Sequence, residues 1–250
     1  MRSSPARALA LATLLLALPV SAASLLQAAF DPSVGVYVFG YDSIPEIPAV
    51  GAPKDTDWSR TAMLHDGLAY RLYAFRSGSD EVLYQFSYDQ ARGAYVYGHA
   101  SIRELRIVGA PRDADTSSFA MLHDGEVYRL YLQRRGDPST LYQFAFDPTT
   151  QEYRFGHRSQ QVIQVTGMPA DTDWSRWAMV HDGSDYRFYA LRRGGASLYQ
   201  AAWDVRAASY RYGFNSIAEI PIRGGPRDLT DFAMLHDGIS FRLYAIAVRR

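Results

Sequence analysis

The residues best placed to do chemistry in this chain of 250 are four identical triplets: His65-Asp66-Gly67, His123-Asp124-Gly125, His181-Asp182-Gly183 and His236-Asp237-Gly238. Imidazole and carboxylate are both good metal ligands, so a fold that gathered His65, His123, His181 and His236 could hold a metal ion or a haem. The same triplet has a structural use. Asp-Gly supplies the backbone conformation of a tight turn, and a histidine beside it can pack or hydrogen-bond. An identical triplet in every copy is what a folding requirement produces. Adjacency of His and Asp does not signal hydrolase chemistry, because neighbouring residues of a strand point to opposite faces.

A second group of candidates lies where the copies differ. Asp57, Trp58 and Arg60 stand in Asp55–Arg60, and Asp173, Trp174 and Arg176 stand in the matching Asp171–Arg176. The second copy has Asp113–Ser118 without tryptophan, and the fourth is shortened to Asp228-Leu229-Thr230-Asp231. Read as loops, these segments have the composition of a sugar or peptide contact, since an aromatic face stacks and charged groups fix orientation. The alternative is a tryptophan that plugs a gap in the fold. A third recurrence is Arg71, Arg129, Arg187 and Arg242, each within an aromatic strand. A buried guanidinium needs an anionic partner, and the recurrent Asp31, Asp89, Asp147 and Asp204 are available for a structural ion pair. There is no cysteine and no recognisable nucleophile, zinc or phosphate-loop motif. Catalysis is therefore not expected.

These residues are carried by a repeat. The histidines step by 58, 58 and 55 positions, so each copy is one supersecondary unit of an array. In the second copy Phe119–His123 is a short apolar strand ended by Asp124-Gly125, a strong hairpin signal. Val127–Gln133, Leu141–Phe146 and Tyr153–Gly156 follow as further strands. Tyr142, Phe144 and Phe146 share one face of the third strand, and Leu141, Gln143 and Ala145 the other. Four antiparallel strands in one such unit make a propeller blade. The expected fold class is all-β, a four-bladed β-propeller. The chain opens mid-repeat, at Leu26–Asp31 and Phe39-Gly40, and stops after Phe241–Tyr244, the first half of a unit. Two halves make a whole if the ends pair, which predicts a closed ring with units at about 24–60 with 232–250, 61–118, 119–176 and 177–231. A linear array would want polar caps instead.

Residues 1–23 have the form of a signal peptide, with Arg2 and Arg7 ahead of an apolar Ala8–Val20 and a Val20-Ser21-Ala22 cleavage pattern. That run is short for a membrane span, which needs about 20 residues. The expectation is an exported chain, periplasmic or extracellular, with one domain over 24–250. Without cysteine there are no disulfides and no thiolate metal site. Charge is balanced at 26 cations to 26 anions, and loss of Arg2 and Arg7 leaves a slight anionic excess, which argues against nucleic acid as a partner.

The outline of each unit resembles a hemopexin-type repeat: a short strand into Asp-Gly, an aromatic strand, another with Tyr and Asp, then Ser-Ile, Gly-x-Pro and Ala. The resemblance spans the mature chain and implies a four-bladed propeller. It departs in lacking the cysteine pair that ties first blade to last, and in keeping only the Ala of an Asp-Ala pair, at Ala62, Ala120, Ala178 and Ala233. Carbonyls at those four positions are where the resemblance would place a cation in the central channel. The function expected is an exported, non-catalytic, lectin-like binding protein that presents loops to a glycan or protein partner, the alternative being a metal or haem carrier built on the histidine ring.

Overall fold

The computed structural model describes residues 23–226 and 231–248. The proposed leader lies outside the described residues apart from Ala23, and so do Asp228, Leu229 and Thr230. Regular structure among the described residues is entirely β, with twenty strands and no helix. None of it is therefore a helix long and apolar enough to cross a membrane.

The chain begins with β1 (Ala23–Asp31), β2 (Val36–Phe39) and β3 (Ile47–Val50). The first His-Asp-Gly copy joins β4 (Thr56–His65) to β5 (Tyr70–Arg76), followed by β6 (Val82–Asp89), β7 (Ala94–Tyr97) and β8 (Glu104–Val108). The second contributes β9 (Ala114–His123), β10 (Tyr128–Arg134), β11 (Asp137–Asp147), β12 (Glu152–Phe155) and β13 (Val162–Thr166). The third contributes β14 (Thr172–His181), β15 (Tyr186–Arg192), β16 (Ser197–Asp204), β17 (Ser209–Tyr212) and β18 (Glu219–Arg223). β19 (Phe232–His236) and β20 (Phe241–Val248) close the chain.

Within a copy the order is β4-β5-β6 antiparallel, and β6 then divides its outer edge between two partners. Its Phe86–Asp89 half pairs with β7, and its Val82–Tyr84 half with β8. β8 also runs parallel to β12 of the next sheet, and β13 to β17, β18 to β2 and β3 to β7 do the same. These parallel links join the sheets at their outer edges into a ring of strands. At the inner edge β4, β9, β14 and β19 touch in cyclic order. At the seam β1 pairs antiparallel with β20 from Ala23↔Val248 to Ala29↔Arg242, so β1–β3 complete the sheet that β19 and β20 begin.

Two sequence readings need correction. Thr56–Arg60 is not a loop but the start of β4, where Asp57 lies opposite Phe75 before the register slips to Thr61 opposite Ala74. A copy also holds a fifth strand beyond the four expected, β8 and its equivalents. In β8, Leu105 and Ile107 are buried and alternate with exposed Glu104 and Arg106, the period-2 pattern of a half-buried strand.

Four hydrophobic clusters fill the spaces between neighbouring sheets. Aromatic rings meet across them, as where Phe75 meets Phe119 edge-on at 4.9 Å. The recurrent Leu-Tyr-Gln has its reason here. Gln85 Nε2 donates to the buried Tyr73 hydroxyl at 2.7 Å, while its Oε1 accepts the Ile102 amide at 2.9 Å. The Tyr73 hydroxyl also hydrogen-bonds to Tyr153 of the next sheet. Gln143, Gln200 and Gln27 repeat the arrangement on Tyr131, Tyr189 and Tyr244. A buried amide and phenol must be satisfied, and this chain satisfies both while it ties a loop to the core and one sheet to the next.

Candidate functional site

The His-Asp-Gly turn is built around its aspartate. Asp66 Oδ1 accepts the Leu68 and Ala69 amides at 2.9 and 2.7 Å, and Gly67 takes a φ of +84°, which its missing Cβ permits. Asp66 Oδ2 accepts Arg71 Nε at 2.7 Å. The same pair recurs as Asp124–Arg129 at 2.9 Å, Asp182–Arg187 at 3.0 Å and Asp237–Arg242 at 2.7 Å. The recurrent arginines therefore bind the triplet aspartates, not Asp31, Asp89, Asp147 and Asp204. Five residues beyond its aspartate, the arginine sits on the strand leaving the hairpin and reaches back to the turn. Asp31, Asp89, Asp147 and Asp204 instead cap their own turns, accepting amides two residues on. Burial would raise the Asp66 carboxyl, but the Arg71 hydrogen bond and the two amides outweigh it and hold it at about 2. Asp182 is likewise held at about 2, by its turn amides and Arg187 against the effect of burial.

The four histidines do come together. With the Met and Leu or Val before them, His65, His123, His181 and His236 line one mouth of the ring. Each ring packs on the aromatic five residues on, His65 on Tyr70, His123 on Tyr128 and His181 on Tyr186 at 4.5 Å, and His236 on Phe241 at 4.7 Å. The space they enclose is about 10 Å³, on the scale of one water and far too small for a macrocycle between them. Among the described residues no three His, Asp or Glu side chains converge as a metal cage. The donor set therefore does not fit a haem or a side-chain metal centre. Ala62, Ala120, Ala178 and Ala233 lie buried on the inner strands, one residue before the methionines of this mouth, and no such cluster of carboxylates or imidazoles accompanies them.

Burial lowers the imidazole pKa of His65, His123 and His236 below the usual value. A lowered folded pKa means that the unfolded chain takes up the protons first, so stability falls as pH drops through about 6.5. The urea midpoint is expected to hold steady from pH 8 to 7 and to fall by pH 5.5. A midpoint unchanged between pH 7.5 and 5.5 would show that the ring tolerates protonation in place.

The tryptophan segments are committed to the structure. Asp57 Oδ1 accepts the Ser59 amide at 3.1 Å and the Ser59 hydroxyl at 2.6 Å, and its Oδ2 accepts Arg60 Nε at 2.7 Å. The Arg60 guanidinium also reaches Asp80 at 3.0 Å and lies over the Phe75 ring at 4.5 Å. Trp58 is buried against Phe86, ring centres 5.5 Å apart. Trp174 is half-buried against Phe188 at 5.9 Å, and Asp173 repeats the serine and arginine contacts with Ser175 and Arg176. As strand residues, both tryptophans pack between sheets. Neither serves as an open stacking platform.

Open space lies instead in the crevices between consecutive sheets. The crevice from the first repeat to the second has a volume of about 350 Å³ and is lined by Arg71, Gln85, Ser101, Ile102, Tyr128 and Phe146. Equivalent positions line the third-to-fourth crevice, of about 250 Å³, with Arg187, Gln200, Ser216, Ile217, Phe241 and Phe30. At the seam a crevice of about 890 Å³ presents Arg242, Gln27, Asp42, Ile44, Tyr70 and Tyr88. In each, the arginine fixes the rim by donating Nη1 to a carbonyl, Arg71 to Ala100 at 3.2 Å and Arg187 to Asn215 at 3.2 Å, with Arg242 bonded to Asp42. Arg129 bonds to Arg158 at the corresponding place between the second and third sheets. Ser43 and Ser216 donate to the carbonyls of Gln27 and Gln200. The hydroxyls of Ser101 and Ser159 are buried without a hydrogen-bond partner. Guanidinium, amide and hydroxyl groups beside aromatic faces can bind a polyol that has one apolar side. Sequence reasoning missed this site. Its signals were the arginine between aromatics, read only as an ion pair, and the serine three residues after each aromatic-Gly, at Ser43, Ser101, Ser159 and Ser216.

No family model and no curated protein matches the chain. Among solved structures it is similar to AofleA from Arthrobotrys oligospora, at 16% identity and a TM-score of 0.37, over 86% of this chain and 61% of that one. It is also similar to a mutant of the Aleuria aurantia lectin in complex with α-methyl-L-fucoside, at 17% identity and a TM-score of 0.40, over 81% of this chain and 60% of that one. A third likeness is to a putative 6-phosphogluconolactonase from Bacteroides uniformis, at 12% identity and a TM-score of 0.33, over 80% of this chain and 55% of that one. The chain spans about three fifths of the length of the first two.

Proposed function

We propose that this chain is an exported, non-catalytic, lectin-like protein, a four-bladed β-propeller that binds glycans in the crevices between its blades. The observation that carries this reading is the repetition of one constellation, an arginine, a glutamine and a serine facing aromatic rings of the next sheet. The crevices of about 250 and 350 Å³ suit a ligand of one or two sugar rings. Equivalent sites on one rigid ring would bind weakly one by one and tightly to a surface that carries many copies of the sugar. The aspartates that hold the crevice arginines Arg71 and Arg187 are not set up as general acids. Asp66 and Asp182 are held at about 2, whereas a general acid works with a pKa near the operating pH. The hemopexin-type outline of the repeat agrees with a binding role, and the leader-like residues 1–23 would place it where extracellular glycans are met.

The test is a glycan array followed by calorimetry on protein from Ser24 onward, beside Ser101→Trp, which fills the first-to-second crevice. Specific binding is expected, with one site fewer in the variant and an unchanged circular dichroism spectrum. Absence of binding to any glycan by the parent protein would overturn the reading. Full stoichiometry in a folded Ser101→Trp would move the site away from the crevices.

A further inference from the structure

The crevices are not alike at their rims, and the difference is ordered around the ring. The residue after each His-Asp-Gly is Leu68, Glu126, Ser184 and Ile239 in turn. Leu68 is 96% exposed at the seam crevice, which it helps to line, and Ile239, 92% exposed, holds the same turn position two residues before Phe241, which lines the third-to-fourth crevice. Each has an aliphatic companion on the opposite wall, Ile44 at 46% and Ile217 at 48% exposed. In the other two crevices the tip is Glu126 or Ser184, and these are the crevices whose serines, Ser101 and Ser159, keep an unpartnered buried hydroxyl. So the two crevices that flank the fourth repeat pair a satisfied serine with two exposed aliphatic side chains, and the other two pair an unsatisfied hydroxyl with a polar tip.

Leu68 and Ile239 are not needed for the turn. It is held by the aspartate, which accepts the Leu68 amide in one copy and the Ile239 amide in another, and it accepts the Glu126 and Ser184 amides equally well. A nearly bare aliphatic side chain that the fold does not require, set at the lip of a crevice, gains only when something apolar covers it.

We infer that the two crevices flanking the fourth repeat take a saccharide bearing an apolar group, an alkyl or acyl aglycone of the kind found in a glycolipid, with the sugar in the crevice and the chain lying over Leu68 and Ile44, or over Ile239 and Ile217. This rests on the glycan reading above and refines it to a ligand class. The seam crevice, at about 890 Å³ the roomiest of the three, is the principal site of this kind.

The experiment compares methyl and octyl β-D-glucosides, β-D-galactosides and α-D-mannosides by calorimetry, with the octyl compounds kept below their micelle concentrations. The parent protein is set beside Leu68→Ser/Ile239→Ser, which reproduces the serine found in the third copy. Octyl binding at least tenfold tighter than methyl is expected. That advantage should disappear in the double variant, whose methyl and octyl affinities become equal. Equal affinity of methyl and octyl forms overturns this inference and leaves the glycan reading standing. An octyl advantage that survives the double variant overturns it too, because the contact then lies elsewhere. If no glycoside of either kind binds, this inference falls, and the glycan array alone decides the broader reading.

Discussion

A chain that lacks Ala23–Asp31 is expected to show no cooperative unfolding transition. β1 is the centre of the seam sheet, with β20 on one side and β2 and β3 on the other. It also supplies the completely buried Ala23, Leu25 and Ala28 to two of the four inter-sheet clusters. Full burial of Leu25 alone is worth about 2 kcal/mol, and the stability of a whole domain is only about 5–15 kcal/mol. Without β1 the backbone of β20 loses a partner along seven residues, Gln27 no longer satisfies the buried Tyr244 hydroxyl, and the ring opens. Urea unfolding followed by circular dichroism and near-ultraviolet signals would report it, and a peptide of residues 23–31 added in trans should restore the transition. A truncated chain that unfolds at the parent's midpoint would mean that the ring does not depend on its seam.

The second large effect is expected at the triplet aspartates. Asp66→Ala removes the acceptor of two turn amides and of Arg71, and takes away a further hydrogen bond from the Tyr128 hydroxyl of the next sheet at 2.9 Å. The Asp66 side chain is only 3% exposed and that of Arg71 16%. Removing one partner therefore strands a largely buried guanidinium, at a cost of about 3–5 kcal/mol and a Tm lower by about 10 °C. Asp89→Ala should cost about 1 kcal/mol, since that carboxylate caps its own turn at Ala91 and Arg92. Comparable losses from the two variants would show that the arginines depend on both aspartates. The acid limb follows from the same chemistry. Asp66 and Asp182 are depressed in the folded chain to about 2, so the stability they confer is complete above about pH 4 and is lost below it.

Much of the architecture was written in local patterns. The period of the triplets, the Asp-Gly turns and the alternation along Leu141–Phe146 announce short antiparallel strands, because turn chemistry and the two-residue period of a strand are properties of neighbouring residues. The half-repeats at the two ends announced the pairing of β1 with β20 for the same reason: a recurring local pattern takes the same strand structure in each copy. What sequence could not settle was which side chains meet across the ring. On paper Arg71 was matched with the family of Asp31, Asp89, Asp147 and Asp204, and only the hairpin geometry brings it to Asp66. Trp58 had a loop's composition, yet a register slip in β4 sets it in the core. The histidines looked like ligands until their spacing around the axis left room for about one water. The binding crevices belong wholly to tertiary structure. Arg71 and Ser101 lie on one sheet, Tyr128 and Phe146 on the next, and the space between them exists only once the sheets have packed.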